Sequence, residues 1–224
     1  MRIILLFKCL NRVMGSINFK NVNVGKIKIS EEKIFVPEVI PTIWTTGTTY
    51  TSPDGYILNG LASYPVAYPV SKATYLATTG KYYWEITRTS GNNANNRIGM
   101  SSSNLGGTVN LGVTNISWGQ SIESTAIFRS WTGVLNSTYT LNNGVILRIA
   151  YDADQKYIWL GYDGNWNENP ISDPPTIQMP LGSDYYFTIH RTSSTVFSFS
   201  ANFGQVPFAY PVPSGFSAGF GPPV

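Results

Sequence analysis

The 224-residue sequence has only one cysteine and one histidine, Cys9 and His190. A single cysteine cannot form a disulfide within the chain, so the fold depends on packing alone. A structural zinc site needs about four Cys and His ligands, and a histidine-assisted nucleophile could use only His190. No HExxH, CxxC or P-loop pattern is present. The sequence therefore predicts no catalytic residue, no metal and no cofactor.

Charge is also scarce, at 12% of the chain, about half of the ~25% typical of soluble domains. Aromatic residues make up 14%, and there are 21 Gly and 14 Pro. A disordered chain would be rich in charge and poor in aromatic residues. Here Thr, Ser, Asn, Tyr, Gly and Val dominate the sequence, and these residue types are typical of strands and turns. The composition thus predicts an all-β domain.

The positive charge lies at the N-terminus. Residues 1–40 carry seven Lys/Arg and three Glu, a net +4, whereas residues 41–224 carry eight and nine, a net −1. A nucleic-acid footprint would be a clustered basic face, which this body lacks. The apolar run at residues 3–7 is shorter than the ~7–15 residues of a signal peptide and the ~20 of a membrane span. We therefore expect neither a nucleic acid nor a membrane as partner.

The first 13 residues (MRIILLFKCLNRV) differ in composition from the rest of the chain. One hypothesis is that Met14 is the true start and that residues 1–13 are an upstream extension. The alternative is a frayed apolar tail or a short helix.

Residues 14–43 predict a β arm followed by a connector. Apolar and polar residues largely alternate from Val22 to Ile29, with a change of phase at Gly25, as in a half-buried strand with a bulge or turn. Pro37 and Pro41 make the connector stiff. A two-stranded ribbon is only marginally stable alone, so it either adds to the main domain or docks on another subunit, and we favour docking.

Residues 44–224 predict two packed antiparallel sheets, because short alternating runs are separated by Gly, Pro, Asn and Asp. Two hairpins are expected, at residues 145–162 and 185–201. Gly99 marks a position where a backbone or a ring comes close. Asp152, Asp154 and Asp163 are interpreted as turn residues, since short carboxylates cap their own backbone.

Five segments, in order, resemble the SPRY domain. They are residues 80–86 (GKYYWEI), 97–100 (RIGM), 145–152 with 156–159 (VILRIAYD and KYIW), 163–166 (DGNW) and 202–208 (NFGQVPF) followed by 213–216 (PSGF). The last two are most similar to SPRY modules of tailed bacteriophages. The family usually has Gly-Asp before its central strand, where this chain has Gly144-Val145. The acidic cap is missing there, so we expect a differently built loop at residues 136–144.

The resemblance implies an antiparallel β-sandwich that binds partners through loops at one end and catalyses no reaction. Aromatic side chains in Gly-, Ser- and Asn-rich stretches suit such contacts, because rigid rings supply contact area at small entropic cost. The candidate binding residues are Trp118, Trp131, Trp166 and Asn165. Trp84 and Trp159 lie in strand patterns and are expected in the core, and His190 is expected to be structural or to face solvent.

We therefore predict a non-enzymatic binding module in a bacteriophage virion, as a tail, fibre or head-surface component. Its arm would contact other virion proteins, and its loops a host surface protein or glycan. One alternative is a purely structural decoration or assembly protein of the virion. A cellular SPRY adaptor is a further alternative, and a glycan hydrolase would need a carboxylate pair that the sequence does not offer.

Overall fold

A computed structural model describes residues 50–51, 57–60, 70–91, 96–102, 111–114, 116–122, 124–129, 133–137, 139–190 and 197–221 of the chain. The expectations for residues 1–43, namely the extension before Met14, the β arm and the connector, lie outside these ranges. Trp131 also lies outside them.

Every regular element in the described ranges is a β-strand. The strands are Tyr50–Thr51 (β1), Ile57–Gly60 (β2), Val70–Ala77 (β3), Lys81–Gly91 (β4), Arg97–Ser101 (β5), Ser117–Ser121 (β6), Ala126–Arg129 (β7), Gly133–Asn136 (β8), Ile146–Asp152 (β9), Tyr157–Tyr162 (β10), Asn165–Trp166 (β11), Ile177–Gln178 (β12), Tyr185–His190 (β13), Phe197–Asn202 (β14) and Ser217–Ala218 (β15).

The strands form two sheets. The larger has nine strands in the order β1-β2-β14-β4-β9-β10-β11, with β12 also paired to β10 and β15 to β4. The smaller has six, in the order β3-β13-β5-β6-β7-β8. The pairs are antiparallel except for the short pair of β15 with β4. The predicted all-β fold of two antiparallel sheets is confirmed.

The core lies between the inner faces of the two sheets. On β4 the side chains of Tyr82, Trp84 and Ile86 point inward, as the alternation predicts, and all three are buried. The Trp84 ring centroid lies 5.3 Å from that of Phe187 on the other sheet and 4.4 Å from that of Phe220. Burying such large aromatic side chains against one another is the main stabilising contribution in a chain without disulfides.

Trp159 is buried as well, but on the outer face of the larger sheet. Its ring lies 5.9 Å from that of Phe216, and its Nε1 donates a 3.1 Å hydrogen bond to the carbonyl of Asp173. Segments after β11 and β14 therefore cover this face, so both sides of the central strands are buried.

One predicted hairpin is confirmed and the other is wrong. Strands β9 and β10 pair antiparallel around the turn at residues 153–156. Strands β13 and β14 do not pair, because β13 lies between β3 and β5 in the smaller sheet and β14 between β2 and β4 in the larger. The chain crosses from one layer to the other there. Two alternating strands joined by a polar connection have the same sequence pattern whether they pair as a hairpin or lie in different sheets. In either arrangement, each strand buries one face in the same core.

Gly99 allows two backbones to approach closely, as predicted. A Cβ atom at this position would lie 2.0 Å from the carbonyl oxygen of Trp118 on the neighbouring strand β6. No side chain fits at that distance, so the strand pair requires glycine here.

Candidate functional site

A cleft of about 320 Å³ opens between three connections of the sandwich. They are the link from β6 to β7, the link from β8 to β9 and the turn from β10 to β11. The lining residues are Thr125, Tyr139, Thr140, Asn142, Val145, Tyr162, Asp163 and Asn165. This volume lies at the small end of the range of ligand sites, ~300–1,000 Å³.

The turn after β10 forms one wall of the cleft. Tyr162 pairs with Asn165, which leaves Asp163 and Gly164 as the two turn residues. Asp163 has a φ of 49°, in the left-handed region that Asp tolerates better than most residues. Its Oδ1 accepts a 3.0 Å hydrogen bond from the backbone N–H of Ile146, and its own N–H donates to the Ile146 carbonyl at 2.9 Å. The turn is thereby attached to the start of β9.

The same contact explains how the chain can have Gly144-Val145 where the SPRY pattern usually has Gly-Asp. A carboxylate does cap the start of the central strand, but it comes from Asp163 on the neighbouring turn rather than from the residue after Gly144. Gly144 has a φ of 85° and donates a 2.7 Å hydrogen bond to the Arg88 carbonyl. The loop before β9 thus turns back toward β4.

Two tyrosines, Tyr139 and Tyr162, form another part of the lining. The hydroxyl of Tyr162 donates to Oε1 of Gln120 at 3.0 Å, and Nε2 of Gln120 donates to the carbonyls of Ser121 and Ser124. The rings of Tyr139 and Tyr162 lie 5.6 Å apart. Burial raises the pKa of Tyr162, so its phenol stays protonated. These contacts hold the wall rigid.

A stacked arginine supports the cleft from the outer face of the sheet. The guanidinium of Arg148 packs on the rings of Trp166 and Tyr210, at 4.3 Å and 4.8 Å from their centroids. Gly161 makes room for this stack, since a Cβ atom there would lie 2.8 Å from the Trp166 ring. Burial lowers the pKa of Arg148, while the nearby Tyr83, Tyr210 and Glu85 oppose that shift.

The predicted contact residues have different positions. Asn165 is exposed and lines the cleft. Trp166 is partly buried, and its ring packs on Arg148 rather than lining the cleft. Trp118 is fully buried, because its pairing with Met100 on β5 points its side chain into the core. Trp118 therefore offers no surface to a partner, which corrects its interpretation as a loop contact. Trp131 lies outside the described residues.

Sequence reasoning missed the remaining residues of the cleft. Tyr139, Thr140 and Asn142 lie in the loop that was expected to differ, but nothing in the sequence indicated that they face the turn at Asp163. Asp163 was interpreted only as a turn residue, although it immediately precedes the Gly-Asn-Trp segment that contains Asn165.

Other carboxylates are occupied by structural hydrogen bonds. Oδ1 of Asp152 accepts from the N–H groups of Asp154 and Gln155, and its Oδ2 lies 3.2 Å from Nζ of Lys81. Oδ2 of Asp154 accepts from Gly80 at 3.2 Å. These contacts confirm the interpretation of both aspartates as turn residues.

Glu85 is a buried carboxylate that the sequence did not single out. It accepts hydrogen bonds from the Tyr83 hydroxyl at 2.8 Å and from the N–H groups of Ala209 and Tyr210 at 2.9 Å. Residues 202–208 (NFGQVPF) lead to this contact, and Asn202 and Gln205 cap the backbone of the turn. The first and last segments of the resemblance therefore meet on the outer face of the sheet.

His190 is fully buried at the end of β13, which makes it a structural residue. Burial, and secondarily the charge of Arg97, lowers its pKa to about 4. In the described part of the chain, no group of three or more His, Cys, Asp or Glu residues is arranged to hold a metal ion. Nor do the described residues include a helix long and apolar enough to cross a membrane.

Solved structures match this arrangement of two sheets. The SPRY domain of human HERC1 superposes with a TM-score of 0.56 at 17% identity, over 72% of this chain and 96% of that one. The chain has the SPRY fold. The TRIM65 PSpry domain gives a TM-score of 0.55 at 12% identity, over 73% of this chain and 92% of that one. No family model and no curated protein matches the sequence. The similarity to bacteriophage SPRY modules stays a prediction.

Proposed function

We propose that the chain is a non-enzymatic binding module that holds a protein partner in the cleft between the three connections. The observation that carries the proposal is the cleft itself, whose walls are fixed by the contacts of Asp163 and Tyr162 before any partner arrives. A preformed site loses little conformational freedom on binding, which favours affinity. The SPRY fold of the chain supports a binding role, because such domains generally act as binding modules.

The carboxylates support a binding role rather than hydrolysis. Glycoside hydrolysis uses two carboxyl groups about 5–10 Å apart on either side of the bond that breaks. Asp163 is the one carboxylate among the residues that line the cleft. Glu85 and Asp152 bind backbone N–H groups elsewhere in the fold.

For the biological setting we propose a bacteriophage virion, in which residues 14–43 contact other virion proteins and the cleft end contacts a host surface protein or glycan. The support is the form of residues 163–166 and 202–208. Proteomics of purified particles tests the setting, and absence of the protein from them would contradict it. A decoration protein that binds only its own virion is the second candidate, and a cellular adaptor the third. Host adsorption would depend on the cleft only in the first case.

The cleft itself is tested by selecting short random peptides on the full-length chain. We expect peptides whose binding is abolished by Asn165→Trp, which puts a large ring at the cleft. The matched control is Gln155→Trp, which replaces another exposed amide in the turn between β9 and β10, at the other end of that hairpin. Selected peptides that bind Asn165→Trp as well as they bind the unmodified chain would contradict the proposed site.

A further inference from the structure

Resting on the proposed function, we propose that the cleft receives a basic side chain, Arg or Lys, of the partner protein. The argument depends on which charged groups line the cleft, on how the carboxylate of Asp163 is held, and on the aromatic ring beside it.

The lining of the cleft carries charge of one sign. Of its eight residues, Asp163 is acidic, and none is Lys, Arg or His. Arg88 approaches the same loop from the core side, where it donates to the carbonyls of Ile122 and Leu141, and it does not line the cleft. An anionic ligand would meet an unfavourable charge here, whereas a cation would meet a complementary one.

The carboxylate of Asp163 has one oxygen occupied and one available. Oδ1 accepts the hydrogen bond from Ile146, which fixes the orientation of the group. Oδ2 has no hydrogen-bond partner among the described residues, and the side chain is partly exposed. A carboxylate held in place with one open acceptor is suited to a charge-assisted hydrogen bond from a guanidinium or an ammonium group.

Tyr139 supplies an aromatic surface in the same cleft. Its ring is partly exposed and packs against Tyr162, whose hydroxyl is held by Gln120. A cation near a ring face gains about 0.5–2 kcal/mol. The fold uses this contact for its own arginines, since Arg148 packs on Trp166 and the guanidinium of Arg97 lies 3.6 Å from the Phe128 centroid.

The size of the cleft matches one long side chain better than an extended peptide. A volume of about 320 Å³ is at the lower limit of ligand sites. The hydroxyl and amide groups of Thr125, Thr140, Asn142 and Asn165 can bind backbone or side-chain polar groups near the cation.

The experiment is an NMR titration of the full-length chain with three small probes. The first is an acetylated and amidated Gly-Arg-Gly peptide, the second replaces Arg by citrulline, which is neutral and nearly isosteric, and the third is a methyl glycoside. We expect the arginine peptide alone to shift the amide signals of Tyr139 and Asn165. Asp163→Asn should weaken its binding by about tenfold or more, the scale of one charge-assisted hydrogen bond.

Asp163→Asn preserves the fold, because the Asn carbonyl can accept the Ile146 N–H and Asn tolerates the left-handed φ. Asp154→Asn is the matched control, since it removes an exposed carboxylate at the other end of the β9–β10 hairpin, and it should leave binding unchanged. Equal shifts with the citrulline peptide, unchanged binding by Asp163→Asn, or shifts with the glycoside alone would each overturn the inference.

The selected peptides separate this inference from the proposed function. Peptides that bind at the cleft but show no enrichment in Arg or Lys would leave the binding module in place and overturn the basic ligand. Peptides that bind away from the cleft would overturn the proposed site itself.

Discussion

The guanidinium of Arg148 packs on the ring of Trp166 at 4.3 Å from its centroid. Arg148 lies on the central strand β9 and Trp166 on the short edge strand β11, two residues after the turn that forms one wall of the cleft. The guanidinium also packs on the ring of Tyr210, and Glu85 accepts a hydrogen bond from the backbone N–H of Tyr210. The cleft turn and the C-terminal segment are thereby attached to the same buried arginine.

Gly161→Ala should destabilise the protein through this stack. The added Cβ would lie 2.8 Å from the Trp166 ring, 2.9 Å from the Asn165 carbonyl and 3.0 Å from Nε of Arg148. Overpacking of this kind costs about 1–3 kcal/mol, measurable as a lower urea midpoint. Gly164→Ala is the control, because its nearest neighbour would be 3.9 Å away. Equal midpoints for the two variants would show that the stack adapts freely.

Glu85→Gln should loosen the C-terminal segment. The carboxylate accepts from Tyr83, Ala209 and Tyr210, and a Gln amide would direct N–H groups at one of these donors. An unsatisfied buried group costs about 1–3 kcal/mol. Hydrogen exchange at the amides of Ala209 and Tyr210 should become faster. Exchange rates at these two amides that match the unmodified protein would show that the carboxylate does not hold the segment.

Much of the fold could be predicted from the sequence because its signals are local. Alternation in residues 82–86 sets the inward face of β4, and the turn chemistry of Asp152 closes the β9–β10 hairpin. That β13 and β14 lie in different sheets and do not pair with each other could not be predicted, because it depends on which layer each strand joins. That choice is made by contacts between residues far apart in the sequence.

The cleft could be predicted only in part. Asn165 was named, but Tyr139, Thr125 and Asp163 come from three separate connections that meet only in the folded chain. Trp118 was misassigned because its Ser and Gly neighbours suggested a loop. Strand β6 is buried at every residue. Its small residues allow neighbouring segments to pack closely on it, since a Cβ atom at Gly119 would lie 2.7 Å from Leu111.

Trp118→Phe should therefore reduce stability without changing recognition. Replacing a fully buried indole by a smaller ring leaves a cavity, with a cost of about 1–3 kcal/mol. Peptides selected on the unmodified chain should bind the folded variant with unchanged affinity, by calorimetry well below its unfolding temperature. Loss of their binding in a folded Trp118→Phe chain would restore this side chain as a contact residue.

The stability of the protein should decrease as the pH is lowered from about 6.5 to about 4, because of His190. Its pKa in the folded protein is lowered from 6.5 to about 4, first by burial and then by the charge of Arg97. In this window the unfolded chain binds a proton that the folded chain excludes, so acidification favours unfolding. A pKa shift of this size corresponds to a change of about 3 kcal/mol in the free energy of unfolding.

His190 is the single histidine of the chain, so its ring signal in the NMR spectrum can be followed without ambiguity and should titrate near pH 4. In urea unfolding, the His190→Gln variant should lose less stability than the unmodified protein when the pH is lowered from 6.5 to 4. Carboxylates titrate in both proteins, and the difference between the two pH profiles isolates the histidine. A ring signal that titrates near pH 6.5, or parallel profiles, would show that the folded protein accepts the charged imidazolium without cost.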